Sequence, residues 1–152
     1  MEIRLDDLRG TAIASLLQLH LDAMHQHSPP ESVHALDLEA LRHPSITFWT
    51  AWEREDLMGC GALKQMDATH AELKSMRTAE AHVRKGVARA LLRHIEAAAR
   101  AKGIRRLYLE TGQHAPFSAA QKLYQSEGFV ACGPFADYVL DPYSLFMTKA
   151  LS

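Results

Sequence analysis

Cysteine is scarce in this chain: only two stand among its 152 residues, Cys60 and Cys132, each in a strand-like segment beside glycine. They read as two buried free thiols, because nothing around them has a secretory character. The first residues, Met1 to Asp7, contain no apolar h-region of a signal peptide. No apolar run approaches the roughly 20 residues that a bilayer-spanning helix needs. The expectation is a cytoplasmic protein with no membrane partner. Charge of one sign is missing as well, since 17 Lys and Arg stand against 18 Asp and Glu, leaving a formal net charge of −1. No global field draws the chain to nucleic acid, and the basic residues Arg100, Lys102, Arg105 and Arg106 read as a helix end and a solvated turn. Nine histidines are present without the Cys or carboxylate partners of a zinc site, so no metal is expected. Neither Gly-x-x-x-x-Gly-Lys-Ser/Thr nor Gly-x-Gly-x-x-Gly occurs, which disfavours a phosphate-loop nucleotide enzyme. Repeats, low-complexity tracts and linkers are absent too, and the length suits one domain over residues 1–152 with its own core.

What is present is an orderly succession of periods. Met1–Leu5 reads as an opening strand, and Thr11–His25 as a helix with Thr11 as its cap, ended by Pro29 and Pro30. Asp37 caps a short helix that runs to Arg42. Ile46–Trp52, Leu57–Met66 and Ala71–Thr78 read as three strands of an antiparallel meander. From Gly86 to Lys102 the apolar residues Val87, Ala90, Leu91, Ile95, Ala98 and Ala99 form one helical face, with Gly103 at its end. Ile104–Thr111 is the next strand, Ser118–Glu127 a helix with Ser118 as cap, and Phe129–Cys132 and Leu145–Lys149 the last two strands. The sum is an α/β (α+β) chain in the order β-α-α-β-β-β-α-β-α-β-β.

The segment richest in chemistry is Val83-Arg84-Lys85-Gly86-Val87-Ala88, a basic loop opening the long helix. The first N–H groups of a helix have no partner inside it, and the positive end of its dipole lies beside them. Together they form a cradle for a phosphate or pyrophosphate. Gly86 lets the backbone come close to such a ligand, and Ala88 leaves room beside it.

That loop, the strand Glu72–Thr78, the stretch Leu107-Tyr108-Leu109-Glu110 and the run Lys122–Phe129 together resemble the GNAT family of acyl-CoA N-acyltransferases. Within it the chain is most similar to a bacterial subgroup that shares Ser28–Ser32, Lys74–Thr78, Arg84–Ala88 and Pro134–Tyr138. The resemblance implies the GNAT fold: a central mixed, mostly antiparallel sheet of six to seven strands flanked by about four helices. It implies acetyl-CoA as co-substrate, with Arg84, Lys85, Gly86, Val87, Ala88 and Arg89 on the pyrophosphate and the backbone of Met76, Arg77 and Thr78 along the pantetheine arm. Val83 stands where the family has Gln or Arg, which shifts that load onto backbone amides and the neighbouring cations. Ser118 stands near the position of a pantetheine-binding Asn.

For catalysis the resemblance places Tyr124 as the acid that protonates the departing thiolate. It offers two bases, Glu72, eleven residues before Val83, and Glu110, at the end of the strand after the cofactor helix. His25, His27, His34, Asp137 and Tyr138 fall where the family builds its acceptor pocket. The implied reaction is direct transfer of an acetyl group, in a ternary complex, to a primary amine of a small molecule or peptide. The alternative is a regulatory module that binds acyl-CoA without turnover. A homodimer is common in the family, and no pattern in this chain specifies one.

Overall fold

Aspartates organise the chain's first turn. Asp6 Oδ1 accepts from the Leu8 N–H at 2.7 Å, and Asp7 from Arg9 at 3.1 Å, reversing the chain after strand β1 (Glu2–Leu5). Helix α1 (Thr11–His27) then begins one residue earlier than its Thr suggests. Gly10 holds the cap position and its carbonyl takes the first helical bond, so Thr11 is already helical and caps nothing. The apolar stripe Ile13, Leu16 and Leu17 is buried, and His20 continues it. Ser28, in extended backbone before Pro29, ends the helix. A short helix α2 (Leu38–Leu41) follows, capped by Asp37 Oδ1 accepting from the Ala40 N–H at 2.8 Å.

The structure is a computed structural model, and it describes residues 1–151. Strands β2 (Ile46–Glu53), β3 (Asp56–Gln65) and β4 (His70–Thr78) form the expected antiparallel meander. Helix α3 (Val87–Ala101) returns the chain so that β5 (Arg106–Gly112) lies parallel to β4. Helix α4 (Ser118–Ser126), the short edge strand β6 (Val130–Cys132) and β7 (Ser144–Ala150) complete a seven-stranded sheet in the order β1-β2-β3-β4-β5-β7-β6. Among the described residues no helix is long and apolar enough to cross a membrane.

Two cores sit on opposite faces of this sheet. On one, Val87, Leu91, Leu92 and Ile95 of α3 pack with Trp49, Leu63, Leu73 and Leu107. On the other, Ile13, Leu16 and Leu17 of α1 pack with Phe48, Cys60 and Ala62. Leu91, Leu92 and Ile95 are fully buried, each side chain contributing about 1.5–3 kcal/mol of transfer free energy. Cys60 is buried as expected, whereas Cys132 on the edge strand is only half-buried; both are free thiols.

The β4–β5 pairing shapes the rest. It runs only from His70 opposite Arg106 to Leu73 opposite Leu109, after which the two strands no longer pair with each other, although β4 still pairs with β3 and β5 with its neighbour on the far side. The cause lies on the β3 side. Between Lys74 and Arg77, β4 advances three residues while β3 advances two, from Ala62 to Cys60. The extra residue sits at Ser75, whose φ of +54° places it in the left-handed region. The bulge bends β4 away from β5 and opens a wedge between them.

The start of α4 corrects an expectation. A 3-10 turn at Ala115–Phe117 runs straight into the helix, so Ser118 already has helical dihedrals and provides no side-chain cap; Phe117 precedes it. Phe117 lies so close over Gly112 that a Cβ there would meet its ring at 1.9 Å, and Gln121 Nε2 donates to the Gly112 carbonyl at 2.6 Å. These contacts fix α4 against the open end of β5.

Candidate active site

The wedge is the upper part of a cleft of about 940 Å³ that runs from the N-terminus of α3 to the loop between β6 and β7. At its α3 end the chain leaves β4 through a 3-10 turn at Glu80–His82 and reverses with Arg84 at φ +64° and Gly86 at φ +80°. Gly86 offers no side-chain acceptor, and the first turn of α3 carries no acidic residue. The leading N–H groups of α3 therefore lack partners. They lie beside Val87, Ala88 and Arg89, all of which line the cleft together with Val83, Arg84 and Gly86. The cations divide. Arg84 belongs to the cleft wall, but Lys85 turns outward, its Nζ 3.2 Å from His82 Nδ1. Arg89 lies on the wall while its guanidinium pairs at 2.9 Å with Glu127, the residue capping the C-terminus of α4, and Arg93 holds the same carboxylate at 2.7 Å. Those bonds, Arg93's first, keep the Glu127 carboxyl below the usual carboxylate range.

Along the wedge, the end of β4 that has left β5 but still pairs with β3 presents Met76, Arg77 and Thr78. The buried Cys60 thiol donates to the Ser75 carbonyl at 3.3 Å. In a planar trans peptide C=O and N–H point in opposite directions. A Ser75 carbonyl held toward β3 therefore turns the Met76 N–H toward the wedge. The bulge also resets the alternation of side chains. Glu72 and Lys74 lie on the α1 face of the sheet, and Met76 reaches the α3 face, where its Sδ and Ile95 Cδ1 both crowd Gly61. Arg77 returns to the α1 face beside His20 and Cys60.

At the centre of the cleft stand Tyr124, Glu110 and Glu72. Tyr124 is buried, with its ring edge on Phe129, and burial followed by the nearby Glu110 charge pushes its phenol above the ordinary range. It is a neutral O–H at any physiological pH. Burial likewise pushes the Glu110 carboxyl up to about 7. Glu72 has a different environment. Its side chain is 4% exposed, and Oε2 accepts from Lys74 Nζ at 3.1 Å and from the Tyr138 hydroxyl at 2.5 Å. Tyr138 also lies 2.9 Å from Lys74 Nζ, closing a three-membered network. Burial and the Glu72 charge keep Tyr138 protonated.

The β6–β7 loop is held over this network by packing. Phe135 stacks among Tyr108, Tyr138 and Phe146 with centroid distances of 4.9, 4.9 and 5.8 Å. Asp141 accepts from the Ser32 hydroxyl at 2.6 Å, which ties this loop to the segment after α1. His34, its pKa lowered by burial and then by Lys74, sets its ring edge on Tyr138 at 4.8 Å. His27 is exposed at the rim, edge-on to Phe117. His25 and Asp137 are exposed and away from the cleft wall, and Ser118 is likewise not on it. Four contributors carry no signal in motif spacing. Lys74 is legible only as a residue two after Glu72 on one strand face. Ser32 and Asp141 are 109 residues apart. His20 falls at the next step of the stripe Ile13, Leu16, Leu17 and reads there as a core position.

Comparison with known proteins agrees with this architecture. Residues 13–129 match the family model described as "Acetyltransferase (GNAT) family". The chain is 57% identical over 151 residues to YsnE of Bacillus subtilis, an N-acetyltransferase itself described as uncharacterised, covering 99% of this chain and 100% of that one. It is 52% identical over 149 residues to YedL of Escherichia coli, described in the same words, covering 98% and 94%. A crystal structure of a GNAT acetyltransferase from Elizabethkingia anophelis with acetyl-CoA bound superposes with a TM-score of 0.70 at 18% identity, over 99% of this chain and 97% of that one.

Proposed function

This chain belongs to the GNAT family of acetyltransferases, and we propose that it transfers the acetyl group of acetyl-CoA directly to a primary amine in a ternary complex, acting in the cytoplasm on a small-molecule or peptide acceptor. The observation that carries this reading is the continuity of one cleft. It joins the unpartnered N–H groups of α3 to Glu110 and Tyr124 without an intervening wall, and so has room for donor and acceptor together.

The residues divide the work. The N–H groups opening α3, with Arg84 and Arg89, hold the pyrophosphate of the co-substrate. The free edge of β4 at Met76, Arg77 and Thr78 pairs with its arm in the manner of an added strand. Of the two glutamates, Glu110 is the base. A carboxyl near pKa 7 is matched to taking a proton at neutral pH, whereas Glu72 is already committed to Lys74 and Tyr138. As the amine nitrogen bonds the thioester carbonyl carbon, Glu110 takes its proton, directly or through one water. The Met76 N–H donates to the carbonyl oxygen as negative charge gathers there. When the C–S bond breaks, Tyr124 donates its proton to the sulfur and regains one from neighbouring Glu110. The net result moves one proton from amine to thiol, and Glu110 ends as it began.

Two measurements test the reading. Saturating acetyl-CoA raises the melting temperature, by the stabilisation that any ligand of the native state confers, and acetyl-CoA is consumed when a panel of amines is added. Absence of any shift with acetyl-CoA refutes it. A shift with no consumption on any amine, unaffected by Tyr124→Phe, identifies a binding module instead.

A further inference from the structure

On the acceptor side of the cleft one cation lacks a counter-charge. Lys74 is neutralised by Glu72, but among the described residues no carboxylate pairs with Arg77, which is half-buried and lines the cleft. Beside it His20 is 7% exposed, lines the same cleft, and its Nδ1 has no hydrogen-bond partner. A buried polar atom left without a partner costs free energy that a ligand atom can recover. An unpaired guanidinium in a sheltered wall is the group best suited to an oxyanion.

The fold brings these two groups together for a traceable reason. Without the bulge at Ser75, Arg77 would share a face with Leu73 and point into the α3 core. The extra residue sends it to the α1 face, beside a helix whose apolar stripe ends in His20. That face also carries Glu72, Lys74 and Tyr138, and it is opposite the face on which α3 packs. Arg77 is thus separated from the phosphate cradle at the head of α3.

We propose that Arg77 and His20 form an oxyanion subsite for the acceptor, so that the acceptor is an amine that also carries a carboxylate. The proposal rests on the acetyltransferase reading above. The carboxylate sits against the Arg77 guanidinium, with the orphaned Nδ1 of His20 as a second donor in the tautomer that protonates it. The amine is then directed along the wall toward Glu110. His20 serves as a neutral donor there, because burial and then the Arg77 charge lower its pKa to about 4.

The test uses matched amines with and without the carboxylate: phenylalanine against phenethylamine, histidine against histamine, and lysine against cadaverine, with phenylalaninamide as a neutral isostere. The full-length protein is assayed for acetyl-CoA consumption. The expected result is a preference for the carboxylate-bearing member on the order of tenfold or more in kcat/KM, carried by KM. That ratio falls toward one in Arg77→Gln and is partly restored in Arg77→Lys. In parallel, the imidazole nitrogen resonances of His20 are followed in the CoA-bound protein as the same amines are titrated, with a shift expected only for carboxylate-bearing probes. Turnover without carboxylate preference, a preference that survives Arg77→Gln, or an Arg77→Gln effect confined to the KM for acetyl-CoA overturns the subsite and leaves the transferase reading standing. Should no amine turn over, a His20 resonance that does not respond to the carboxylate probes overturns it equally. Failure of acetyl-CoA itself to bind is the separate result that removes the underlying function.

Discussion

The Tyr138 hydroxyl donates to Glu72 Oε2 at 2.5 Å, across 66 residues of sequence, and so fastens the β6–β7 loop to the middle of β4. With Lys74 on the same oxygen, the bond makes Glu72 a structural carboxylate inside the cleft. Breaking the network from either side should have unequal costs. Tyr138→Phe removes the two hydrogen bonds of that hydroxyl, to Glu72 and from Lys74, but leaves the Glu72–Lys74 pair intact, and is expected to destabilise by about 1–3 kcal/mol. Glu72→Gln leaves the buried Lys74 ammonium uncompensated and is expected to cost about 3–5 kcal/mol. Urea denaturation of the two variants measures the difference, and equal small costs would contradict the network.

Glu110 gives two pH signatures. As the base it must be ionised, so kcat should rise through an inflection near pH 7, and Glu110→Gln should lower the rate about 10²- to 10⁴-fold and abolish that inflection. Its effect on stability has the opposite direction. A carboxyl raised in the fold from 4.5 to about 7 favours the protonated native state. Stability from this group is complete below pH 4.5 and is lost as pH rises to about 7, a change on the order of 3 kcal/mol. Melting curves of the parent and Glu110→Gln at pH 4.5 and 8 should therefore diverge, the variant gaining at the higher pH.

Tyr124→Phe tests the acid. The phenol ring packs on Phe129, and that packing survives the substitution. Melting temperature and its increase with acetyl-CoA should be retained, while kcat falls about 10²-fold or more. A variant with the parent's kcat would remove Tyr124 from the chemistry.

Cys60 orients the bulge through its bond to Ser75. Cys60→Ala should release the Ser75 carbonyl and lower kcat about tenfold as the Met76 N–H loses its aim. Cys60→Ser, which keeps a donor, should restore most of the loss. If both variants behave alike in steady-state kinetics, the thiol only fills space.

Gly112→Ala introduces a Cβ against the Phe117 ring. Overpacking of this kind costs about 1–3 kcal/mol, and relief requires α4 to move. Because Tyr124 lies on α4, the variant should lose activity beyond its loss in melting temperature, which parallel kinetic and thermal measurements will separate.

Much of this was legible in the chain. Strands and helices announced themselves through periods of two and 3.6, and α3 is flanked by the two glycines, Gly86 and Gly103, whose positive φ ends its geometry at each side. The seven-stranded mixed sheet with four helices is the architecture that the GNAT resemblance implied. The helix starts were less legible. Thr11 and Ser118 have the side chains of caps, yet Gly10 and Phe117 take the position. A cap is defined by the backbone of the turn before it, and that turn is shaped by Asp7 in one case and by a 3-10 segment in the other.

By itself the sequence determined what depends on local backbone chemistry: the elements, their order, and a helix opened by a glycine loop whose N–H groups face outward. Tertiary structure alone decided what depends on strands coming together. One extra residue at Ser75 parts β4 from β5 and moves Arg77 to the face of His20. Loops 66 and 109 residues away in sequence close over that face, giving Glu72 its partners through Tyr138 and locking Ser32 to Asp141. Neither a strand register nor the burial that raises Glu110 is a property of any short segment. Both arise only when distant surfaces exclude water together.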